Sequence, residues 1–126
     1  MLGHVSLGTN DKQRTAAFYD DVMALLGYVR VWDKDYGVGY GPPNGGDPLA
    51  FFVQSEPVAA PGPGFHVAFV APDRQTVDHF YRLALAKGAT DAGAPGLRPH
   101  YTPDYYAAFV VDPEGRKLEF YIDQPV

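Results

Sequence analysis

An internal repeat constrains the fold of this chain more than any other feature of its sequence. The segment HVSLGTNDKQRTAAFYDDVMALLG, which begins at His4, recurs as HVAFVAPDRQTVDHFYRLALAKG from His66. The identical residues share one offset of 62 residues without a gap, and they are His4/His66, Val5/Val67, Asp11/Asp73, Gln13/Gln75, Phe18/Phe80, Tyr19/Tyr81 and Ala24/Ala86. Self-similarity of this length indicates a duplicated structural unit, so we expect the two histidines to occupy equivalent places in two copies of one motif.

Within each copy the residue pattern predicts one strand, one helix and then three more strands. Alternating apolar residues predict the strands of the first copy at 2–7, 28–33, 36–40 and 49–54. Thr9 and Asn10 can cap the helix between the first two strands, and Gly27 can end it. The first half of the chain is therefore predicted to form a βαβββ module.

The second copy restarts this pattern after a segment at 56–64 that is rich in proline and glycine and opposes regular structure. Its strands are predicted at 65–71, 105–112 and 116–122, with a short irregular strand near Leu97. Asp73 caps the predicted second helix, and Gly88 ends it. The prediction is an α+β fold with a single domain over residues 1–126, made of module one at 2–55, a linker at 56–64 and module two at 65–123.

Composition and charge exclude several classes of partner and site. The 126 residues carry a net charge of -5 without a cluster of Lys and Arg, so nucleic acid is not expected as a partner. The sequence contains no cysteine, which excludes thiol catalysis and zinc–thiolate sites. Its apolar runs fall far short of the ~20 residues that a membrane span needs, and no signal-peptide pattern precedes the first strand. We therefore expect a cytoplasmic protein with no membrane partner.

The ends of the two halves also match, although at a different offset. LAFFV at 49–53 aligns with LEFYI at 118–122, so that leucine and phenylalanine recur in the same places. The one chemically different pair is Ala50 against Glu119. The two halves are therefore predicted to share a fold while differing in one ionisable side chain.

Strand alternation predicts where the histidines and this carboxylate point. Successive side chains of a strand lie on opposite faces of the sheet, so Glu119 and Tyr121 are predicted on the face away from the helices. The same alternation places His4 and His66 on that face. A sheet closing over it would gather two imidazoles and one carboxylate in one cavity. On the residues alone, this is either a metal site or a polar cluster left by a metal-binding ancestor.

Together these features resemble the vicinal oxygen chelate superfamily, which includes glyoxalase I, type I extradiol dioxygenases, fosfomycin-resistance enzymes and bleomycin-binding proteins. The resemblance covers residues 2–123 and rests on the strand-borne His4, the Phe-Tyr pair of the first helix, His66 and the terminal DPEGRKLEFY segment with Glu119. It implies that the two modules form a cupped mixed sheet with the helices on its outer face. It also implies a divalent metal ion inside the cup, held by residues from the first and last strands of each module.

Carried over by position, the resemblance implies that His4, His66 and Glu119 are metal ligands. The fourth ligand place of the family falls on Ala50, where glyoxalase I has a carboxylate. Extradiol dioxygenases use a His, His, Glu set from the three places that remain, which is the facial triad of non-haem iron oxygenases. These residue types suit Fe²⁺, Mn²⁺, Ni²⁺ or Zn²⁺ and do not choose among them.

Further candidates for the site come from the loops and strands around this face. The predicted proton-handling or substrate-orienting residues are His100, Tyr101 and Tyr121. The predicted substrate-binding residues are Trp32, Arg30, Arg98 and Tyr106, where Trp32 and Arg30 are taken to share one face of their strand. Structural alternatives remain open, because His100 and Arg98 can equally be solvated and Trp32 can belong to the core. Tyr105 and Tyr106 are neighbours on one strand, so one is expected to face the cavity and the other the core.

The resemblance implies a divalent-metal-dependent enzyme of the glyoxalase or dioxygenase type. Such an enzyme would act on a small-molecule substrate with two vicinal oxygens, through Lewis-acid stabilisation of an oxyanion or through oxygen activation. The alternative is a non-catalytic protein that sequesters a small molecule, as bleomycin-resistance proteins do. The resemblance also implies a homodimer, since single-domain members of the superfamily usually dimerise.

Overall fold

The computed structural model describes all residues from 1 to 126 and divides them into two compact units. The first unit is Met1–Ala59 and the second is Ala60–Val126. Each unit contains one α-helix and one four-stranded mixed sheet, in the element order βαβββ. The predicted α+β fold of two βαβββ modules is confirmed.

The first unit places its first and last strands side by side. Its elements are β1 Val5–Thr9, α1 Lys12–Ala24, β2 Val29–Lys34, β3 Gly37–Gly41 and β4 Leu49–Val53. The strand order is β1-β4-β3-β2, with β1 and β4 parallel and the other neighbours antiparallel. The parallel register pairs Ser6 with Ala50.

The second unit repeats this topology. Its elements are β5 Val67–Val70, α2 Arg74–Ala86, β6 Thr90–Leu97, β7 Tyr105–Val111 and β8 Lys117–Asp123. The strand order is β5-β8-β7-β6, again with the first and last strands of the unit parallel. That register pairs Ala68 with Glu119, so His66 lies just before a strand that runs beside β8.

Both helices are capped by the aspartate that the repeat conserves between the two copies. The carboxylate of Asp11 accepts a hydrogen bond from the backbone N–H of Arg14 at 3.0 Å, and that of Asp73 accepts one from Thr76 at 2.7 Å. The predicted capping by Thr9 and Asn10 is therefore corrected to Asp11. Thr9 is buried instead, and its hydroxyl is hydrogen-bonded to that of Thr15 at 2.8 Å.

Each helix packs on one face of its own sheet through aromatic side chains. In the second unit Phe80 stacks on Phe120 with ring centroids 4.0 Å apart, and both side chains are fully buried. In the first unit the ring of Tyr19 packs against that of Phe51, with the centroids 4.4 Å apart. Burial of one such side chain contributes about 1.5–3 kcal/mol, so these contacts hold the helices on the sheets. Because side chains alternate along a strand, Ala50 and Glu119 face away from the helices.

Two edge strands depart from regular pairing. The register between β2 and β3 shifts between Arg30 and Trp32, which is a β-bulge. The register between β6 and β7 shifts on both sides of Gly93, whose φ of 152° few other residues adopt. The sequence predicted only a short strand near Leu97, because these irregularities break the alternation of side chains along β6. Neither of the two helices is long and apolar enough to cross a membrane.

Candidate active site

Glu119 is the centre of a hydrogen-bonded cluster on the face of the second sheet that points away from α2. We call this surface the Glu119 face, and its side chains are those of His66, Tyr105, Phe109, Lys117, Glu119 and Tyr121. The Glu119 side chain is 2% exposed. Its Oε1 lies 3.0 Å from Nε2 of His66, and its Oε2 accepts a hydrogen bond from the Tyr105 hydroxyl at 2.5 Å. A buried carboxylate needs such partners, and both of its oxygens have one.

Three strands supply this cluster, and the sheet register explains why its members meet. Glu119 on β8 pairs with Ala68 on β5 and with Phe109 on β7. His66 lies two residues before Ala68, so alternation returns its side chain to the same face. Tyr105 lies four residues before Phe109 and returns to that face for the same reason.

Burial and the hydrogen bond to Glu119 together keep the Tyr105 hydroxyl protonated. Burial, followed by the hydrogen bond to Glu119 and its negative charge, raises the pKa of Tyr105 well above its usual value of 10.0. The phenol is therefore protonated across the physiological pH range and acts as a donor. Tyr105 thus holds one carboxylate oxygen while the other oxygen faces the imidazole.

The three predicted proton-handling residues are joined to Tyr105 by ring contacts. Tyr121 stacks on Tyr105 with centroids 4.9 Å apart and planes 4° from parallel. Tyr101 meets the Tyr105 ring edge-on at 4.9 Å, and His100 lies 4.3 Å from the Tyr101 ring. His100 and Tyr101 are exposed, so they belong to the solvent side of this aromatic group.

The structure corrects the choice between the two neighbouring tyrosines of β7. Tyr106 was predicted to bind substrate, but it lies on the helix side, where its hydroxyl donates to Asp78 of α2 at 2.5 Å. The guanidinium of Arg74 lies 5.0 Å above its ring. Tyr105 is the one of the two that faces Glu119. The register that pairs Tyr106 with Ile122 decides this, and no residue pattern within β7 reveals it.

Arg98 reaches the Glu119 face from the end of β6. Its guanidinium carbon lies 5.5 Å from the centroid of the Phe109 ring. The His66 ring lies 6.2 Å from the same centroid, with the two planes at 64°. Of the predicted substrate-binding residues, Arg98 is the one that the second unit brings beside the cluster.

Two predicted substrate-binding residues belong to the first unit, and the bulge of β2 separates them. Arg30 points to the helix side and forms ion pairs with Asp20 at 2.6 Å and Asp33 at 2.8 Å. Trp32 lies on the other face, where its indole N–H donates to Asp47 at 2.9 Å. The prediction that they share one face is corrected, because the extra residue of the bulge changes the alternation between them.

His66 and Glu119 supply the donor chemistry that Fe²⁺, Mn²⁺, Ni²⁺ and Zn²⁺ accept, an imidazole nitrogen next to a carboxylate. No group of three or more His, Cys, Asp or Glu side chains in the structure is placed to hold a metal ion. His4, the third predicted ligand, is exposed and directly precedes β1 in the first unit. Ala50, at the fourth place, is 1% exposed and has no donor atom. The structure therefore brings together two of the three predicted ligands.

Comparison with known proteins agrees with this architecture. The model of the glyoxalase/bleomycin resistance protein/dioxygenase superfamily matches residues 1–120. A glyoxalase/bleomycin resistance protein from Albidiferax ferrireducens T118 is 26% identical, with a TM-score of 0.80 over 95% of this chain and 97% of that one. No curated protein matches the sequence.

Two further solved structures share the fold at lower identity. A glyoxalase/bleomycin resistance protein/dioxygenase family enzyme from Burkholderia phytofirmans PsJN is 21% identical, with a TM-score of 0.73 over 96% of this chain and 97% of that one. A glyoxalase-related enzyme from Fulvimarina pelagi is 19% identical, with a TM-score of 0.74 over 96% of this chain and 86% of that one. With the family model matched over almost its whole length, the chain belongs to the glyoxalase/bleomycin resistance protein/dioxygenase superfamily.

Proposed function

We propose that this protein is a divalent-metal-dependent enzyme of the glyoxalase or dioxygenase type, acting on a small molecule with two vicinal oxygens. The observation that carries the proposal is the approach of His66 Nε2 to the buried Glu119 carboxylate at 3.0 Å. His66 and Glu119 would hold the metal ion together with His4. The bound metal would supply Lewis acidity toward the two substrate oxygens.

The surrounding side chains have roles that do not depend on which metal is bound. Tyr105 orients the Glu119 carboxylate through its hydroxyl, and a ligand held in this way keeps its geometry when it binds a metal. Tyr121, stacked on Tyr105, keeps that ring in place. His100 and Tyr101, on the solvent side, would orient the substrate or exchange a proton with it.

The residue at position 50 favours a ligand set of three over a set of four. Ala50 occupies the place that corresponds to Glu119 in the first unit, and it is buried without any donor atom. Three protein ligands leave more coordination positions for substrate or oxygen than four do. We therefore favour dioxygenase-type chemistry over the four-ligand glyoxalase I reaction.

Sequestration of an aromatic small molecule without catalysis is the second candidate function. It is favoured by a cluster of aromatic side chains in the first unit. The ring centroid of Trp32 lies 5.7 Å from that of Tyr36 and 5.5 Å from that of Phe52. Tyr36 is 59% exposed, so its ring is available for stacking. Calorimetry with an aromatic ligand separates the two functions, because binding by sequestration persists in a chelator whereas binding to a metal is lost.

The proposal extends to a homodimer in the cytoplasm. Strand β5 is an edge strand of the second sheet, and its Val70 is 65% exposed. Exposed edge strands with apolar side chains favour pairing or packing with another chain. Sedimentation velocity tests this proposal, and a monomer at all micromolar concentrations would exclude the dimer.

Metal binding to ligand variants is the direct test of the proposed enzyme. Purified apoprotein is titrated with Fe²⁺, Mn²⁺, Ni²⁺ and Zn²⁺, and the bound metal is counted by elemental analysis. We expect His66→Ala, Glu119→Ala and His4→Ala each to weaken binding by about 100-fold or more. His79→Ala is the matched control, because His79 is exposed on α2 and is expected to leave binding unchanged. Equal metal binding by the wild type and His66→Ala would refute the proposal.

A further inference from the structure

Two cationic side chains meet one aromatic ring beside the His66–Glu119 pair. The Lys117 ammonium nitrogen lies 5.1 Å from the centroid of Phe109, and the Arg98 guanidinium carbon lies 5.5 Å from it. Both cationic groups therefore lie within 5.5 Å of the same ring centroid. Phe109 is the cross-strand partner of Glu119, so this group lies one strand away from the cluster.

The Arg98 guanidinium is held in place by the backbone of β6. It donates to the carbonyl of Ala94 at 2.8 Å and to that of Gly96 at 2.9 Å. A Cβ at Gly93 would lie 3.1 Å from one terminal nitrogen, and a Cβ at Gly96 would lie 3.3 Å from the other. The two glycines thus leave the space that the planar group occupies. Two of its five N–H donors are used, and three remain for another acceptor.

Neither of these cations has a carboxylate partner. Arg98 donates only to carbonyl oxygens, and the Lys117 ammonium forms no hydrogen bond or ion pair with the protein. In contrast, Arg116 is paired with Asp112 at 2.9 Å, and Arg30 has two carboxylate partners. Two cations without a carboxylate partner thus lie beside one ring, although the chain carries a net charge of -5. A half-buried guanidinium with free donors matches the geometry of an oxyanion, which it can bind with two parallel hydrogen bonds.

We propose that Arg98 and Lys117 form a subsite for an oxyanion group, a carboxylate or a phosphate, on the substrate of this protein. This inference depends on the proposed function in that it treats the bound molecule as a substrate. The subsite itself is inferred from the contacts around Phe109. Neighbouring strands are about 5 Å apart, so an oxyanion bound at Phe109 places the rest of a small molecule at His66 and Glu119. The substrate class is therefore a small organic acid or phosphate whose anionic group lies a few bonds from the reacting oxygens.

The test is an NMR titration of the full chain with methylphosphonate, acetate and neutral acetamide, with and without added metal. The readout is the Nε–H resonance of Arg98 together with the ring resonances of Phe109. We expect the two anions to shift these resonances in saturable fashion and acetamide to leave them in place. Arg98→Met and Lys117→Met should each weaken anion binding by about tenfold or more, since each removes one charge-assisted contact.

Two further variants separate a placed guanidinium from general charge. Arg82→Gln removes an exposed cation of α2 and should leave anion binding unchanged. Gly96→Ala keeps every charge but places a Cβ 3.3 Å from a terminal nitrogen of Arg98, so the guanidinium must shift and anion binding should weaken by less than in Arg98→Met. If neither anion shifts Arg98, or if Arg98→Met binds anions as tightly as the wild type, the subsite is refuted whatever the metal result. Anion binding that persists in chelator supports the subsite even where metal binding fails.

Discussion

The two units share one topology but use the corresponding faces of their sheets differently. On the Glu119 face of the second unit, a buried carboxylate has partners on both sides, His66 and Tyr105. At the matching place in the first unit, Ala50 is buried and faces Gly39 across β3 and β4. The carboxylate of the second unit therefore has a hydrogen-bond partner for each oxygen, whereas the corresponding side chain of the first unit has no polar atom. The two units thus share one strand order and differ in whether a buried ionisable side chain occupies this place.

A carboxylate introduced at position 50 of the first unit should have the largest effect. In Ala50→Glu a charged group enters a position that is 1% exposed, opposite Gly39, where the overlying Trp32 indole already donates its N–H to Asp47. An unpaired buried charge costs about 3–5 kcal/mol, so the free energy of unfolding should fall by that amount. Urea denaturation measures it. Ser6→Glu is the matched control, because Ser6 is the exposed strand partner of Ala50 and should change stability by less than about 0.5 kcal/mol. Equal stability of both variants would contradict the explanation.

Removing the hydroxyl from each of two adjacent tyrosines compares the two faces of β7. Tyr105→Phe leaves Oε2 of the buried Glu119 without its donor, which should lower the free energy of unfolding by about 1–3 kcal/mol. Tyr106→Phe removes a bond to the half-buried Asp78, and its effect should be about 0.5–1.5 kcal/mol. Thermal denaturation of both variants at neutral pH gives the two values. A larger loss of unfolding free energy in Tyr106→Phe would contradict this order, because the hydroxyl on the helix side would then be the more stabilising one.

Alkaline pH should produce the smallest effect, and it arises in both units. The pKa of Tyr105 is raised mainly by burial, as is that of Tyr40, whose hydroxyl donates to Asp20 at 2.7 Å. A raised pKa means that the protonated phenol stabilises the folded state fully below pH 10 and that this contribution is lost as pH rises through the folded value. The free energy of unfolding should therefore decline above about pH 10. The decline should be shallower in Tyr105→Phe and in Tyr40→Phe, which urea denaturation at each pH measures, and ultraviolet titration follows the ionisation of the tyrosines.

Most of the fold was predictable because the repeat and the strand alternation are local properties of the chain. The two helices and the four-strand modules followed from spacing and repetition, and the structure confirms them. The alternation also placed Glu119 and His66 on one face, where the structure finds their side chains in contact. The aspartates that cap both helices were visible in the repeat as an identical pair.

The remainder of the candidate site depended on pairing between strands. Adjacent residues of β7 always take opposite faces, but only the register with β8 decides that Tyr105 rather than Tyr106 faces Glu119. The bulge in β2 likewise separates Arg30 from Trp32, although spacing predicts one face for both. The Arg98 guanidinium reaches Phe109 because β6 is irregular around its glycines, and irregular strands have no periodic signature.

Local patterns in the sequence specify a duplicated βαβββ protein with two equivalent histidines and with Glu119 at a place where the first copy has Ala50. Periodicity and repetition encode such features, since they follow from residues that are close together in the chain. Which tyrosine and which cations lie beside that carboxylate depends on how the strands pair. Those contacts join residues from separate strands, and their geometry depends on register, bulges and burial rather than on spacing along the sequence.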